Sequence, residues 1–303
     1  MSRVSPLRAR SERTRQVAFV LSGGASLGAV QVGMLRALLE RGIRPDLLIG
    51  TSVGAINSAW IAGRPDKEGV ERLADIWAGL RRRDIFPFHP LTSAAGLFGR
   101  SNHFISSANL RSLLENQLPF RRLEETYVPL HVIATELKTG RATILTSGPA
   151  VPALLASCAI PGVYPPVTIG RRDYIDGGVA NHTPITVALE LGATDIYVLP
   201  VGYPWLNKEP TNALGIALQA LARIIDQKLD TEVEANRRRA AIHVLPAMDV
   251  PDISPADFSH TQELIDWGYT SGCRYLSQAN GRGVLPERAR KTLQLKPSPA
   301  EAA

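Results

Sequence analysis

Short apolar runs alternate with helix-period patterns along this chain. Residues 16–22 form a short run rich in apolar and β-branched side chains, which predicts a strand. Apolar residues then recur at helical spacing over residues 30–39, and Gly42 is placed to end that helix. Residues 45–52 predict a second buried strand, followed by a helix over residues 53–63. Because a helix joins the two strands, we expect them to be parallel.

The same alternation continues through the second half of the chain. A short strand is expected to end at Asp176, and an apolar strand to begin at residue 195. The further predicted strands cover residues 129–137, 142–148, 195–201 and 241–246, and the further predicted helices cover residues 149–162, 184–191, 211–238 and 261–278. The sequence therefore predicts an α/β fold, a three-layer α/β/α arrangement around a central, largely parallel sheet.

Length and composition are those of an ordinary globular protein. Of the 303 residues, 45% are apolar and 20% are charged, and we find no internal repeat. We expect one domain over residues 15–280, between a loose N-terminal segment, 1–14, and a loose C-terminal tail, 281–303. No run approaches the roughly 18 apolar residues of a membrane span, and the arginine-rich N-terminus lacks a signal-peptide core. The predicted location is the cytoplasm, with peripheral membrane contact left open.

The charge pattern indicates no dedicated nucleic-acid module. The net charge is +6, with basic clusters at residues 8–15, 81–83 and 237–239. We interpret each cluster as a solvated helix face that could also approach anionic lipid. Cys158 and Cys273 lie far apart without metal-ligand spacing and are expected to be core thiols. We therefore predict no nucleic-acid partner, no metal and no cofactor.

The turn after the first strand is rich in glycine, which is typical of dinucleotide-binding folds. The fingerprint G-x-G-x-x-G, placed on residues 23–28, finds Ala25 at its second glycine. It also requires an acidic residue at the end of the second strand, where the chain has residues 50–54, GTSVG. A P-loop is excluded because no Lys-Ser or Lys-Thr pair follows the glycines. These mismatches make nucleotide binding a minor interpretation.

The pentapeptide GTSVG, residues 50–54, supplies a better explanation of the chemistry. It matches G-x-S-x-G and lies between a predicted strand and a predicted helix, which is the context of a nucleophile elbow. Ser52 would then lie on a tight turn with its hydroxyl exposed, at the positive end of the following helix. Gly50 and Gly54 would let that strand and helix pack closely.

A serine nucleophile also needs donors that stabilise an oxyanion. We expect the backbone N–H groups of Gly23, Gly24 and Ala25, ahead of a helix that begins near Gly28, to form such a nest beside Ser52.

The base is less well defined by the residues alone. Asp176 is expected at the end of a strand, where Gly177 and Gly178 would leave its carboxylate at a sharp corner. Among the six histidines, His260 is the only late loop histidine in the order of an α/β-hydrolase triad, and His182 is the second candidate.

Four segments together resemble the patatin-like phospholipases. They are SGGASLG at residues 22–28, GTSVG at 50–54, DGG at 176–178 and ASCAIPGVYPPV at 156–167. The similarity covers roughly residues 16–200 in order, and the spaced set is far more specific than any single motif.

The resemblance implies a patatin-like fold and a Ser/Asp dyad without a histidine. Ser52 would be the nucleophile, Asp176 the base, and the amides of Gly23, Gly24 and Ala25 the oxyanion hole. An acyl-enzyme on Ser52 would form and be hydrolysed, and the partner would be a lipid or another ester. The glycines that support these motifs are Gly28, Gly50, Gly54, Gly177 and Gly178.

Two positions depart from the family pattern of three glycines followed by a basic residue. Ala25 stands at the third glycine, and Leu27 stands at the basic position. Ala25 keeps its N–H, so we expect the oxyanion hole to survive provided that the φ of Ala25 is negative. Leu27 removes a cation, which weakens the case for phospholipids more than the case for ester hydrolysis.

Several alternatives stay open at this stage. Residues 90–106 and 201–210, the latter with Tyr203 and Trp205, are candidates for a lid or for an interfacial patch. The long helix at 211–238 is either a packing face or a dimer surface.

Two other functional hypotheses also remain. One is a triad esterase that uses Ser52 with His182 or His260. The other is a non-catalytic lipid- or nucleotide-binding module, although such a module has no use for Ser52 together with Asp176.

Overall fold

In this computed structural model the chain is described over residues 15–87, 105–202, 209, 213–246 and 253–278. The strands are β1 Val17–Leu21, β2 Leu47–Thr51, β3 Leu130–Glu136, β4 Ala142–Leu145, β5 Val167–Ile169, β6 Arg172–Asp176, β7 Asp195–Leu199 and β8 Ala241–Val244. The α-helices of these ranges, numbered here in chain order, are α1 Ala29–Glu40, α2 Val53–Gly63, α3 Lys67–Gly79, α4 Arg82–Ile85, α5 Ala108–Gln117, α6 Ala150–Ser157, α7 Ile185–Glu190, α8 Ala213–Asn236 and α9 Thr261–Gln278.

The strands form one mixed sheet with the order β5-β6-β3-β2-β1-β7-β8, and β4 also pairs with β3. The pairs β1–β2, β1–β7, β2–β3 and β7–β8 are parallel. The pairs β3–β4, β3–β6 and β5–β6 are antiparallel. The predicted fold class is therefore confirmed, with an antiparallel extension beyond β3.

Alternate residues of the central strands enter two separate cores. Phe19 and Leu21 of β1 pack into a large cluster with α1, α2, α3, α5, α6 and α9. Ala18 and Val20 of the same strand pack on the other face with α7 and α8. Because both faces are covered, β1 is apolar at every position, as is usual for a parallel strand inside three layers.

Most of the predicted elements are present with shifted ends. Helices α2 and α9 have the predicted bounds, and α1 ends where Gly42, at φ 72°, allows the chain to turn. The pattern analysis did not assign α3, α4 or α5. The signal for α3 was present, since Asp66 caps its first turn by accepting from the Gly69 N–H at 2.8 Å.

Several predictions fall wholly or mainly outside the part of the chain that the structure describes. These are the terminal segments 1–14 and 281–303, most of residues 90–106, and Tyr203 with Trp205. Of the apolar residues proposed as a packing face on the long helix, Leu229 is described, and it packs against the second core.

The two cysteines differ in environment. Cys158 is buried as predicted, but Cys273 is only half-buried, so the expectation of a core thiol is wrong there. Among the helices of the described ranges, none is both long enough and apolar enough to cross a bilayer.

Helices α1 and α9 approach each other at backbone distance. A Cβ on Gly33 would lie 2.0 Å from the carbonyl oxygen of Ile265, and a Cβ on Gly268 would lie 2.1 Å from that of Val30. Real side chains cannot occupy such positions unless a helix moves. The close packing places α9 over the helix that follows the glycine-rich turn.

We expect Gly33→Ala to lower the free energy of unfolding by about 1–3 kcal/mol, because the new methyl group overpacks the α1–α9 contact. Gly79→Ala is the matched control, since a Cβ there meets nothing within 4 Å, and its effect should stay below about 1 kcal/mol. Urea unfolding midpoints measure both. Equal stability of the two variants would contradict the close approach.

Candidate active site

The C-terminal ends of β2 and β6 meet on one edge of β3. Strand β2 runs parallel to β3 up to the pair Thr51–Ile133, and β6 runs antiparallel down to the pair Asp176–Ala134. Strand β4 pairs with residues 132–135 and so occupies the opposite edge. The two strands therefore point at each other along β3, and this brings the residue after Thr51, Ser52, next to Asp176.

Ser52 occupies the sharp turn between β2 and α2. Its φ of 55° is in the left-handed region, which is strained for a residue with a side chain. The Ser52 N–H donates to the Ser157 hydroxyl at 2.8 Å, and that hydroxyl donates to the Ile133 carbonyl at 2.6 Å. These bonds anchor the turn to β3 through α6.

The glycines around this turn allow close packing because they carry no Cβ, as the motif predicted. A Cβ on Gly50 would lie 2.4 Å from the Gly54 carbonyl oxygen, and one on Gly54 would lie 2.4 Å from that of Leu21. A Cβ on Gly177 would lie 2.2 Å from the Ile133 carbonyl oxygen. Gly28 packs against the side chain of Val53. Strands and helix termini therefore converge closely at the serine.

Asp176 is buried, at 7% exposure, and its backbone is fixed at several atoms. Its carbonyl accepts from the Thr135 hydroxyl at 2.8 Å, and its N–H donates to the Ala159 carbonyl at 2.9 Å. The carboxylate oxygen Oδ1 accepts from the Gly178 N–H at 2.7 Å. Burial raises the pKa of Asp176 to about 6, and the nearby Ser52 side chain and the Gly178 N–H only partly oppose that rise.

The loop of Gly23, Gly24 and Ala25 passes beside the serine. A Cβ on Gly23 would lie 3.1 Å from the Ser52 Cβ. Gly24 has a φ of 151° and packs so tightly that a Cβ would lie 2.2 Å from a methyl carbon of Val201. The described residues provide no hydrogen-bond acceptor for the N–H groups of Gly24 and Ala25.

Ala25 and Leu27 are the two positions of this loop that depart from three glycines followed by a basic residue. The negative φ expected for Ala25 is wrong, because its φ is 50°. The turn keeps the left-handed backbone that glycine would favour, and alanine bears a cost of about 1–2 kcal/mol there. Leu27 is fully buried in the large core, so this position contributes packing and no charge to the site.

A deep apolar pocket opens at Ser52. Ala25 and Ser52 line it together, and the rest of the lining is almost entirely hydrophobic. Its remaining lining residues are Val53, Ile56, Trp60, Leu73, Ile76, Trp77, Leu80, Ile85, Phe86, Leu110, Leu113, Cys158, Ile160, Tyr164 and Phe258. Such a lining accepts a hydrocarbon chain next to the serine hydroxyl.

Cys158, Ile160 and Tyr164 explain why the segment 156–167 accompanies the other motifs. All three line the pocket together with Ser52. Burial raises the pKa of the Cys158 thiol well above its usual range, which keeps it protonated. Sequence analysis treated Cys158 only as a core thiol and missed its place beside the serine.

The two candidate histidines have different surroundings. His182 is buried beside Gly23, its Nδ1 lies 3.2 Å from the Thr183 hydroxyl, and burial lowers its pKa to about 3. It is therefore a neutral ring at ordinary pH. His260 lies in the exposed loop before α9, with Nδ1 2.9 Å from Glu263 Oε2, and it does not line the pocket.

Within the described residues, no cluster of His, Cys, Asp or Glu has the arrangement of a metal site. Ser52 and a carboxylate of raised pKa lie together at this site, beside N–H groups that have no acceptor among the described residues, and Ser52 lines an apolar pocket. These groups are the ones that acyl transfer through a serine requires.

Comparison with known proteins finds a match to the family described as Patatin-like phospholipase over residues 19–189. Patatin-like phospholipase domain-containing protein 7 of Rattus norvegicus is 29% identical over 192 residues, which are 61% of this chain and 14% of that protein. Lysophospholipase NTE1 of Pyricularia oryzae is 24% identical over 314 residues, 95% of this chain and 20% of that protein. The chain thus spans only 14% to 20% of these relatives.

Among solved structures, VipD from Legionella pneumophila matches with a TM-score of 0.49 and 16% identity, over 87% of this chain and 67% of that chain.

We expect the wild-type protein to lose stability as pH rises, and Asp176→Asn to abolish that loss. A folded pKa near 6 against 3.8 unfolded means that the carboxyl group stabilises the fold when protonated and loses this contribution as pH rises through about 6. From pH 4.5 to pH 8, the free energy of unfolding of the variant should gain about 2 kcal/mol relative to wild type. Urea titrations at both pH values measure it. A difference that is independent of pH would contradict the raised pKa.

Proposed function

This chain belongs to the patatin-like phospholipase family, and from that premise we propose that it is a serine acyl hydrolase acting on esters with an apolar acyl chain. The observation that carries the proposal is the convergence of Ser52 and the buried Asp176 carboxylate on one edge of β3, with Ser52 lining an apolar pocket. Ser52 is the nucleophile and Asp176 is the base.

In the first half of the reaction, Ser52 Oγ attacks the ester carbonyl carbon and its proton passes to the Asp176 carboxylate. The negative charge that develops on the carbonyl oxygen is stabilised by the N–H groups of Gly23, Gly24 and Ala25. As the C–O bond to the leaving alcohol breaks, Asp176 returns the proton to the alcohol oxygen. The acyl group remains on Ser52.

In the second half, water attacks the acyl-enzyme and Asp176 accepts a proton from that water. The tetrahedral intermediate collapses, the Ser52 oxygen leaves with the proton from Asp176, and a carboxylic acid is released. A pKa near 6 makes Asp176 a better base than an ordinary aspartate while leaving it ionised at neutral pH. Burial of the carboxylate therefore contributes directly to the chemistry.

For the substrate, we propose a lipid carboxylic ester whose acyl chain lies along the hydrophobic pocket. The pocket wall contains Trp60, Trp77, Phe86 and Phe258, and these side chains offer no charge to a head group. The name of the fungal relative, Lysophospholipase NTE1, makes lysophospholipids the first lipids to assay. Leu27 is buried, so an anionic head group would have to be met by charges outside the glycine-rich loop.

The three arginines at residues 81–83 are candidates for that contact. They are exposed, and they lie between Leu80 and Ile85, which line the pocket. Basic side chains next to an apolar opening would favour peripheral binding to an anionic membrane. A cytoplasmic location and a homo-oligomer stay predictions.

The alternative Ser-His-Asp triad fits this geometry less well. Asp176 lies close enough to Ser52 for the serine side chain to affect its pKa, and the groups that shift the pKa of His182 are its burial, Gly23 and Lys228 rather than a carboxylate. A binding module without catalysis would gain nothing from a buried carboxylate beside a strained serine.

We expect Ser52→Ala and Asp176→Asn each to lower kcat for p-nitrophenyl esters by at least about a thousandfold, because nucleophile and base act as one unit. His260→Ala is the control and should keep wild-type activity, since His260 lies outside the pocket. Assaying acetate, butyrate, octanoate and palmitate esters measures the preference for long chains. An active Ser52→Ala variant would refute the proposed nucleophile.

The pH dependence separates the two candidate bases. If Asp176 is the base, kcat/KM should fall about tenfold per pH unit below pH 6, because the carboxylate becomes protonated. If His182 were the base, its pKa of about 3 would place that fall near pH 3. The limb near pH 6 should persist in His182→Gln. A wild-type limb near pH 3 that His182→Gln abolishes would favour the triad.

A further inference from the structure

A buried chain of side-chain hydrogen bonds connects the wall of the pocket with the glycine-rich loop. The Trp77 indole Nε1–H donates to Asn57 Oδ1 at 2.9 Å. Asn57 Nδ2 donates to Gln31 Oε1 at 2.9 Å and to the Gly28 carbonyl at 3.0 Å. Gln31 Nε2 donates to the carbonyls of Ser22 and Leu199 at 2.8 and 2.9 Å. Asn57 and Gln31 are both fully buried.

The direction of this chain is set at Trp77. An indole N–H can only donate, so it determines which atom of the Asn57 amide is the oxygen. The Asn57 Nδ2 then faces Gln31, whose oxygen must accept and whose nitrogen must donate. Both hydrogens of each amide nitrogen are used. Losing the indole N–H would leave a buried amide oxygen without its donor, which destabilises the arrangement.

Two of the three carbonyls that receive these bonds, those of Ser22 and Gly28, bracket the proposed oxyanion loop. Ser22 immediately precedes Gly23, and Gly28 ends the 3-10 helix that begins at Ala25. The Ser22 hydroxyl is also held by the segment that follows β7, since it accepts from the Val201 N–H at 3.2 Å. The loop between these two points keeps left-handed backbone at Ala25 and therefore depends on fixed ends.

The other end of the chain belongs to the acyl pocket. The Trp77 ring lines the pocket, is 4% exposed, and stacks on Phe258 with ring centroids 6.2 Å apart. It also lies against the loop, since a Cβ on Gly28 would come within 3.3 Å of Trp77 Cζ2. Trp77 thus lines the surface that we propose binds the acyl chain, and it also contacts the residues that hold the oxyanion loop.

We propose that Trp77 is a positioning residue, which acts through Asn57 and Gln31 to hold both ends of the oxyanion loop in register with Ser52. This inference rests on the proposed acyl hydrolase function. Oxyanion donors act only when they are preorganised, and a displacement of about 1 Å can cost roughly a hundredfold in rate. Trp77 accordingly contributes to kcat through its N–H and to substrate binding through its ring.

The test compares two variants from α3 that remove equal numbers of non-hydrogen atoms from the pocket wall. Trp77→Phe removes the indole N–H that bonds Asn57, whereas Ile76→Ala removes only apolar contact. We expect Trp77→Phe to lower kcat about ten- to a hundredfold by the same factor for acetate, butyrate and octanoate p-nitrophenyl esters. Ile76→Ala should mainly change KM, and more for octanoate than for acetate.

Wild-type turnover is measured first, because its absence refutes the hydrolase proposal itself. Far-UV circular dichroism at the assay temperature gives the folded fraction of each variant, and kcat is expressed per folded molecule. The acid limb near pH 6 should persist in Trp77→Phe, since Asp176 is untouched. With an active wild type, an unchanged kcat in Trp77→Phe, or a loss confined to octanoate, would overturn the positioning role.

Discussion

The site depends on the meeting of two strand ends on one edge of β3. Strands β2 and β6 approach from opposite directions, and their last residues pair with Ile133 and Ala134. No loop flexibility is needed to bring the Ser52 hydroxyl to the Asp176 carboxylate, because the backbone of both is held by the same strand. The glycines of the GTSVG and DGG motifs permit this convergence, since a Cβ on Gly50, Gly54 or Gly177 would overlap backbone atoms. Sheet register is therefore the physical basis of the proposed dyad.

This arrangement is locally unfavourable at two residues, the backbone of Ser52 and the buried carboxylate of Asp176. Ser52 has a left-handed backbone, which costs about 1–3 kcal/mol, and Asp176 is a carboxylate in an apolar surrounding. The hydrogen bonds of Ser157 fix the strained turn, and the Gly178 N–H partly stabilises the charge. What remains is a carboxylate whose pKa is about 6, near an apolar pocket. Stability is given up where the proposed chemistry needs it.

The sequence predicted those features that local patterns encode. The βα units around residues 16–63, the tight turn at Ser52 and the strand that ends at Asp176 follow from periodicity, glycine placement and the G-x-S-x-G spacing. The prediction of a Ser52–Asp176 dyad without a histidine came from the family resemblance, because the residues alone left His182 and His260 open as bases. The burial of His182, which lowers the pKa of its imidazole to about 3, exists only in the folded chain. The positive φ of Ala25 and the bonds joining Trp77, Asn57 and Gln31 also arise from tertiary packing, over separations that no motif spans.

The central claim is that Ser52 is a nucleophile activated by Asp176. The most direct measurement is covalent labelling with an alkyl fluorophosphonate, followed by peptide mapping by mass spectrometry. The account predicts one adduct, on Ser52 Oγ, that forms at least about a hundredfold more slowly in Asp176→Asn because the serine proton has no acceptor. The absence of an adduct in folded wild-type protein, or labelling of Asp176→Asn at the wild-type rate, would contradict it.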